Sequence, residues 1–480
     1  MSDEGWTETF ASSTHSAASA ETRHSCALAE IARCTPKGNT GSNRGLRPRG
    51  MVAFATDEQT TRPRGATRTP VRPLYVACSQ ATLHQYVPLL GPCMLRIKMY
   101  PAKNGDSFLV DAAGTFILID AGFASTFQDF IKPDLASLTN DGRRLALAVC
   151  THIDADHIGG LLEFFSSNGP QPRRLVEVDR VWHNSLRSMP LQPGKEEGVQ
   201  GKLVLEALRR RGFREPAAPG PIGARQGSSL AKMLGHDGYL WNEGNGTTCI
   251  SQDQHPLVLS EAVSVEVVGP SRARLEALRN VWLKEGAKLG YKGGAASTDL
   301  LDDAYEMWCA TAFQATAPKI RKVSANGNLR LADIYAPDHS PANGSSIAIV
   351  IKSAGVQVLF LGDAWAEDIV AKLRAGKPAT GPILFDAIKV SHHGSCHNTS
   401  PELLATVDAP CFLISTDGSR HGHPNFEVLA EIVDRPASFE RRLIFNYETA
   451  ASARLRSHAS RSGTPFSISM AHTNWISLEG

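Results

Sequence analysis

Thr151-His152-Ile153-Asp154-Ala155-Asp156-His157-Ile158-Gly159-Gly160 places four side chains able to ligate a metal within six positions, and two glycines follow. Imidazole nitrogens and carboxylate oxygens mixed in this way suit borderline divalent ions such as zinc or manganese. The preceding run, Arg144-Leu-Ala-Leu-Ala-Val-Cys150, is short, apolar and bounded, as a buried strand is. The following residues Leu161, Leu162, Phe164 and Phe165 form the apolar stripe of a helix, with Gly159 and Gly160 allowing a close backbone approach at the turn. The stretch therefore reads as strand, ligand loop, helix.

This pattern resembles the first-metal motif of the metallo-β-lactamase superfamily, His-x-His-x-Asp-His after a strand, with Asp154 in place of the second histidine. The variant His-x-Asp-x-Asp-His-x-Gly-Gly is similar to the hydrolase domain of the ComEC competence proteins. The resemblance implies an α/β fold, a four-layer αββα sandwich, and further ligands in a set order. Val358-Leu-Phe-Leu-Gly-Asp363 matches the strand that delivers an aspartate bridging two metals. Phe385-Asp-Ala-Ile-Lys-Val-Ser-His-His-Gly-Ser395 matches the strand ending in paired histidines, of which the family pattern favours His392 as ligand. His183, in Val181-Trp-His-Asn184, best meets the remaining position.

On that pattern His152, Asp154 and His183 hold one ion, Asp156, His157 and His392 hold the other, and Asp363 lies between them. The implied cofactor is a pair of divalent ions, zinc first and manganese second, because Asp154 makes its site harder than an all-histidine one. Such pairs, about 3.5–4 Å apart, serve hydrolases that attack with a bridging hydroxide, for which bound water is acidified to a pKa near 7. Asp156 and His423 are the implied catalytic residues, with His423 in the Gly422-His-Pro424 element placed to protonate a leaving oxygen as a general acid or to hold a phosphate. Asp120, at the end of Phe116-Ile-Leu-Ile-Asp120, is expected to orient ligands by hydrogen bonds. His393, Ser395 and Asn343 of Asn343-Gly-Ser-Ser346 are expected to line the site or meet substrate.

Gly105-Asp-Ser-Phe-Leu-Val110 and Phe116 to Ile119, separated by Ala112-Ala-Gly114, read as a hairpin opening the fold. The motifs run from Gly105 to His423, so they belong to one domain, 94–480, and not to separate compact units. Residues about 185–335 carry helical patterns, such as 199–211 and 271–287, and read as a helical insertion beside the site. Residues 1–93 are rich in Ser, Thr, Ala, Arg and Pro without apolar periodicity, and read as a disordered tail or as sequence upstream of a start at Met94.

The first 93 residues hold 10 Lys and Arg against 7 Asp and Glu, which leaves 40 against 41 in the remainder. A nucleic-acid partner must therefore be met by local patches, Arg209 to Arg211 or Lys319, Arg321 and Lys322. Nine cysteines occur singly, without Cys-x-x-Cys spacing, which argues against a disulfide framework or thiolate zinc site and fits the cytoplasm. No run of about eighteen apolar residues suggests a membrane partner, and a nucleotide-binding glycine loop is missing. Oligomeric state is left open. The expected activity is a two-metal hydrolysis of phosphodiesters, in nucleic acid first. The second expectation is a small phosphodiester, phosphocholine ester, lactone or thioester, and the third a binding module on the same fold.

Overall fold

A computed structural model describes residues 95–189, 199–210, 229–291, 298–312, 329–376 and 380–478. The tail 1–93, and Arg211, Lys319, Arg321 and Lys322 among the basic patches, lie outside the described residues. The opening strands are β1 (Leu95–Met99), β2 (Phe108–Ala112), β3 (Thr115–Ile119), β4 (Leu145–Val149) and β5 (Val181–Trp182). They continue with β6 (Leu257–Ser260), β7 (Val263–Gly269), β8 (Ala348–Ser353), β9 (Val356–Phe360), β10 (Ile383–Leu384) and β11 (Ala387–Lys389). The last are β12 (Val407–Asp408), β13 (Cys411–Ile414), β14 (Arg441–Phe445), β15 (Phe466–Met470) and β16 (Trp475–Leu478).

Two large mixed sheets result, beside a two-stranded parallel pair of β10 and β12. The first has the order β16-β1-β2-β3-β4-β5, and the second β15-β14-β13-β11-β9-β8-β7-β6. Their inner faces meet: Ile97, Val110, Ile117, Leu147 and Val149 pack with Val265, Ile349, Ile351, Val358 and Leu413. Phe108 meets Phe360 edge-on across the gap, with ring centroids 5.4 Å apart. The outer face of the first sheet, through Leu109, Leu118 and Ala148, is covered by helical residues Leu135, Ile158, Leu161 and Phe165. That of the second, through Val350, Leu359 and Phe412, is covered by Ile369, Leu403, Leu429 and Ile432. The architecture is thus a four-layer αββα sandwich. Central strands bury both faces, which is why Leu145–Val149 and Cys411–Ile414 read as continuous apolar runs.

The hairpin turn between β2 and β3 has φ 49° at Ala113 and 82° at Gly114, the double positive φ of a tight hairpin turn whose twist matches the strands. Among the described residues of 185–335 the α-helices are Val199–Arg209, Leu230–His236, Arg272–Lys288, Asp299–Ala312 and the short Leu331–Ile334, but β6 and β7 lie there as well. The range is therefore not helical throughout. Val263, Val265 and Val267 alternate into the space between the sheets, so this part of the segment belongs to the core. No described helix is long and apolar enough to cross a membrane.

The helix after β4 is Ala155–Asn168, with Asp154 at its N-cap. Asp156 and His157 thus lie in its first turn, not in a free loop. Gly160 is the helix's point of contact with the β3 end. A Cβ there would lie 2.0 Å from the Ala121 carbonyl oxygen, and its N–H donates to the Gly122 carbonyl at 2.7 Å. Gly160→Ala is expected to lower stability by about 1–3 kcal/mol, the usual range for overpacking. A denaturant midpoint unchanged from wild type would contradict it.

Candidate metal centre

Every ligand candidate sits just beyond a strand. β4 leads to His152, Asp154 and the helix carrying Asp156 and His157, β9 leads to Asp363, and β11 leads to His392 and His393. Around Asp363 the side chains form two groups. In one, His152 Nε2 lies 3.7 Å from both Asp154 Oδ2 and Asp363 Oδ2, and His392 Nε2 lies 3.6 Å from Asp363 Oδ2. In the other, His157 Nε2 is 3.5 Å from Asp363 Oδ1, and His393 Nε2 is 3.8 Å from both Asp156 Oδ2 and Asp363 Oδ2. Ligand atoms of Asp106, His157, Asp363 and His393 all fall within 4.8 Å of one another.

These separations are too long for hydrogen bonds. They suit two donors that share a small cation, since ligands about 2.0–2.2 Å from a tetrahedral ion stand roughly 3.4 Å apart. The buried atoms His152 Nε2, His157 Nε2, His393 Nε2, Asp154 Oδ1, Asp106 Oδ1 and Asp363 Oδ1 have no hydrogen-bond partner. Buried polar atoms left in this state are costly. Three of them, the Nε2 atoms of His152, His157 and His393, lie 3.5–3.8 Å from Asp363, whose own Oδ1 is unpartnered, and this fits a metal centre.

The opposite face of each ring is held. His157 Nδ1 faces Asp120 Oδ2 at 2.8 Å, and Asp120 also accepts from the Thr151 N–H at 2.7 Å and hydroxyl at 2.6 Å. His393 Nδ1 donates to the Ser415 carbonyl at 2.8 Å, and His392 Nδ1 to Asn398 Oδ1 at 2.7 Å. Asn104 donates to Asp156 Oδ2 at 2.6 Å. Partners of this kind fix tautomer and ring direction in metal sites. Asp120, His392 and His393 take positive φ of 51°, 45° and 57°, a left-handed backbone that costs such residues about 1–3 kcal/mol each and tends to gather at functional sites.

Burial works to raise the Asp363 carboxyl, but His392, His157 and His393 outweigh it and hold it well below the carboxylate range. Burial opposes protonation of His157, yet Asp363 and Asp120 raise it well above the ordinary histidine value. His423 behaves in the opposite way. Burial first, then His392, His393 and His421, push it well below the histidine range.

The structure brings His152, Asp154, Asp156, His157, Asp363, His392 and His393 together, and it brings one histidine of the pair to each group. His423 stands at the edge, its ring centroid 5.1 Å from that of His392. Asn343 donates to Asp338 Oδ2 at 2.7 Å and lies 3.3 Å from His392 Nδ1. Ser395 closes the turn, its N–H on the His392 carbonyl at 2.9 Å. His183 is not drawn into the cluster. Its Nε2 lies 2.8 Å from Glu306 Oε1, the only carboxylate within 4 Å of its ring among the described residues, and Trp241 stacks beside it. Glu306 also receives the N–H groups of Leu230 and Ala231, so a distant helix has claimed this histidine.

Sequence reasoning missed Asp106, Lys389, Asn104 and Asn398. For Lys389 a signal existed: a lysine inside the apolar run Ala387-Ile-Lys-Val390 is rarely buried unless paired. Of the basic patches, Arg209 and Arg210 pair with Glu206 on their own helix.

The αββα sandwich and the histidine and aspartate cluster beyond its strand ends agree with the fold that the sequence resemblance implies. Residues 100–251 match the family model described as the Metallo-beta-lactamase superfamily. Among solved structures, the chain is similar to the metallo-β-lactamase fold protein YhfI from Bacillus subtilis, at 10% identity and TM-score 0.35, covering 80% of this chain and 99% of that one. Zinc-bound PqqB from Methylobacterium extorquens matches at 12% identity and TM-score 0.30, covering 80% and 100%. A metallo-β-lactamase from Staphylococcus aureus matches at 9% identity and TM-score 0.26, covering 79% and 99%. A search of curated protein sequences gave no match.

Proposed function

We propose that this chain is a hydrolase of phosphodiesters, nucleic acid foremost, which works with two divalent cations held around Asp363, zinc first and manganese second. The observation that supports it is the convergence of three buried, unpartnered imidazole nitrogens, those of His152, His157 and His393, on that aspartate. His152, Asp154 and His392 would hold one cation, and Asp156, His157 and His393 the other. Bound there, the cations supply Lewis acidity and bring the pKa of water to around 7. The rest belongs to the protein. Asp120 keeps His157 Nδ1 protonated, so that Nε2 faces the centre as a lone pair. Asn104 turns Asp156 inward. His423 would meet a substrate oxygen, and the same loop carries Arg420 and the exposed His421, cationic groups suited to an anionic substrate. The His-x-Asp-x-Asp-His spacing, similar to ComEC-type domains, favours phosphodiesters over lactams.

Metal-loaded protein incubated with single-stranded DNA, RNA and bis(p-nitrophenyl) phosphate is expected to cleave a polymer substrate. Asp156→Ala should lower that rate by at least about 100-fold, as removal of one transition-state contact does. Cleavage by the variant at the wild-type rate would end this reading. Activity on the small ester alone would move the substrate class to small phosphodiesters.

A further inference from the structure

Lys389 is the one strongly basic side chain that β11 sends inward, and it is 1% exposed. Its Nζ is in ion-pair contact with Asp106 Oδ2, donates to the Gly362 carbonyl at 3.0 Å and lies 3.9 Å from Asp363 Oδ1. The other oxygen of Asp106 is buried without a hydrogen-bond partner, 3.3 Å from His393 Nδ1. Asp106 thus stands within reach of the metal group, yet is turned to a lysine. Charge counting gives this arrangement a purpose. Asp106, Asp120, Asp154, Asp156 and Asp363 are five carboxylates; two divalent cations balance four, and Lys389 balances the fifth. Asp363 does not depend on the lysine for its position, because its N–H rests on Ser346 Oγ at 3.2 Å and its carbonyl receives Asn398 at 3.0 Å.

We propose that Lys389 is a positioning residue that locks Asp106 out of the metal coordination sphere, so that the centre keeps two cations and Asp106 serves as counter-ion, not ligand. The proposal rests on the metal reading above. Removing the ammonium strips one positive charge from beside the cations and frees a carboxylate to join them; removing the carboxylate leaves an unpaired cation facing them.

The test is zinc and manganese content per chain after competition with a chelator, together with thermal unfolding of the metal-free protein. Lys389→Met is expected to retain metal at least about tenfold more tightly than wild type, and Asp106→Asn at least about tenfold less tightly, the direction following from the charge removed. The double variant Lys389→Met with Asp106→Asn should return to within about threefold of wild type, since the local charge is unchanged. It should also melt above either single variant, because no buried charge is stranded. If Asp106 is a ligand, the double variant will hold metal as poorly as Asp106→Asn, and the lock is overturned. Looser metal retention by a folded Lys389→Met overturns it as well. Wild-type protein that takes up no metal removes the metal reading itself, a distinct result.

Discussion

Asparagine in place of Asp363 should leave the sandwich folded and strip it of metal. Asp363 is 2% exposed and is shared by both groups, through His152 and His392 on Oδ2 and His157 on Oδ1. The amide keeps the shape and the backbone bonds to Ser346 and Asn398. It loses the negative charge and turns an N–H toward imidazoles that need an acceptor or a cation. Partners one step removed from a metal cost 10–100-fold in affinity when lost, so loss of the shared ligand should exceed about 100-fold. Hydrolysis should fall by about 10³-fold or more, in line with the removal of a central electrostatic group. Metal analysis after gel filtration, beside a circular dichroism spectrum, is the check. A folded Asp363→Asn that still carries wild-type metal would refute the site.

Asp120→Ala should have the largest effect on stability. Asp120 is fully buried, accepts from Thr151 twice and holds His157 Nδ1. Alanine leaves a buried imidazole and a buried N–H unsatisfied. Breaking a buried pair from one side costs about 3–5 kcal/mol. The φ of 51° adds about 1 kcal/mol, since alanine tolerates the left-handed region poorly. Metal affinity should also fall by about 10–100-fold, because His157 loses its orientation. Urea unfolding of the metal-free protein measures the first effect and chelator competition the second. Asp120→Asn, which keeps an acceptor and suits positive φ, should recover part of the stability. A midpoint for Asp120→Ala equal to wild type would dismiss this account.

Much of the fold could be read from short-range pattern. The apolar runs read within 144–150 and 358–363 fall on β4 and on the end of β9, because strands buried on both faces leave a hydrophobic signature. The hairpin at Ala112 to Gly114 was legible from its turn chemistry. The alternation in Val263–Gly269 was equally local, yet it lay within a stretch dominated by helical spacing. The difficulty at the site was of another kind. His392 and His393 are adjacent, and spacing cannot say where each ring points. Two successive residues with positive φ send them to different groups.

From its sequence alone, this chain determined the order of its histidines and aspartates and their delivery beyond strand ends, because strand and helix periodicity are local properties. Only the tertiary structure decided which donors meet. It sent His183 to Glu306, 123 residues away, and drew Lys389 onto Asp106. Pairing of buried charges depends on strand register and on which helix covers which face, and neither is written in the spacing of a single segment.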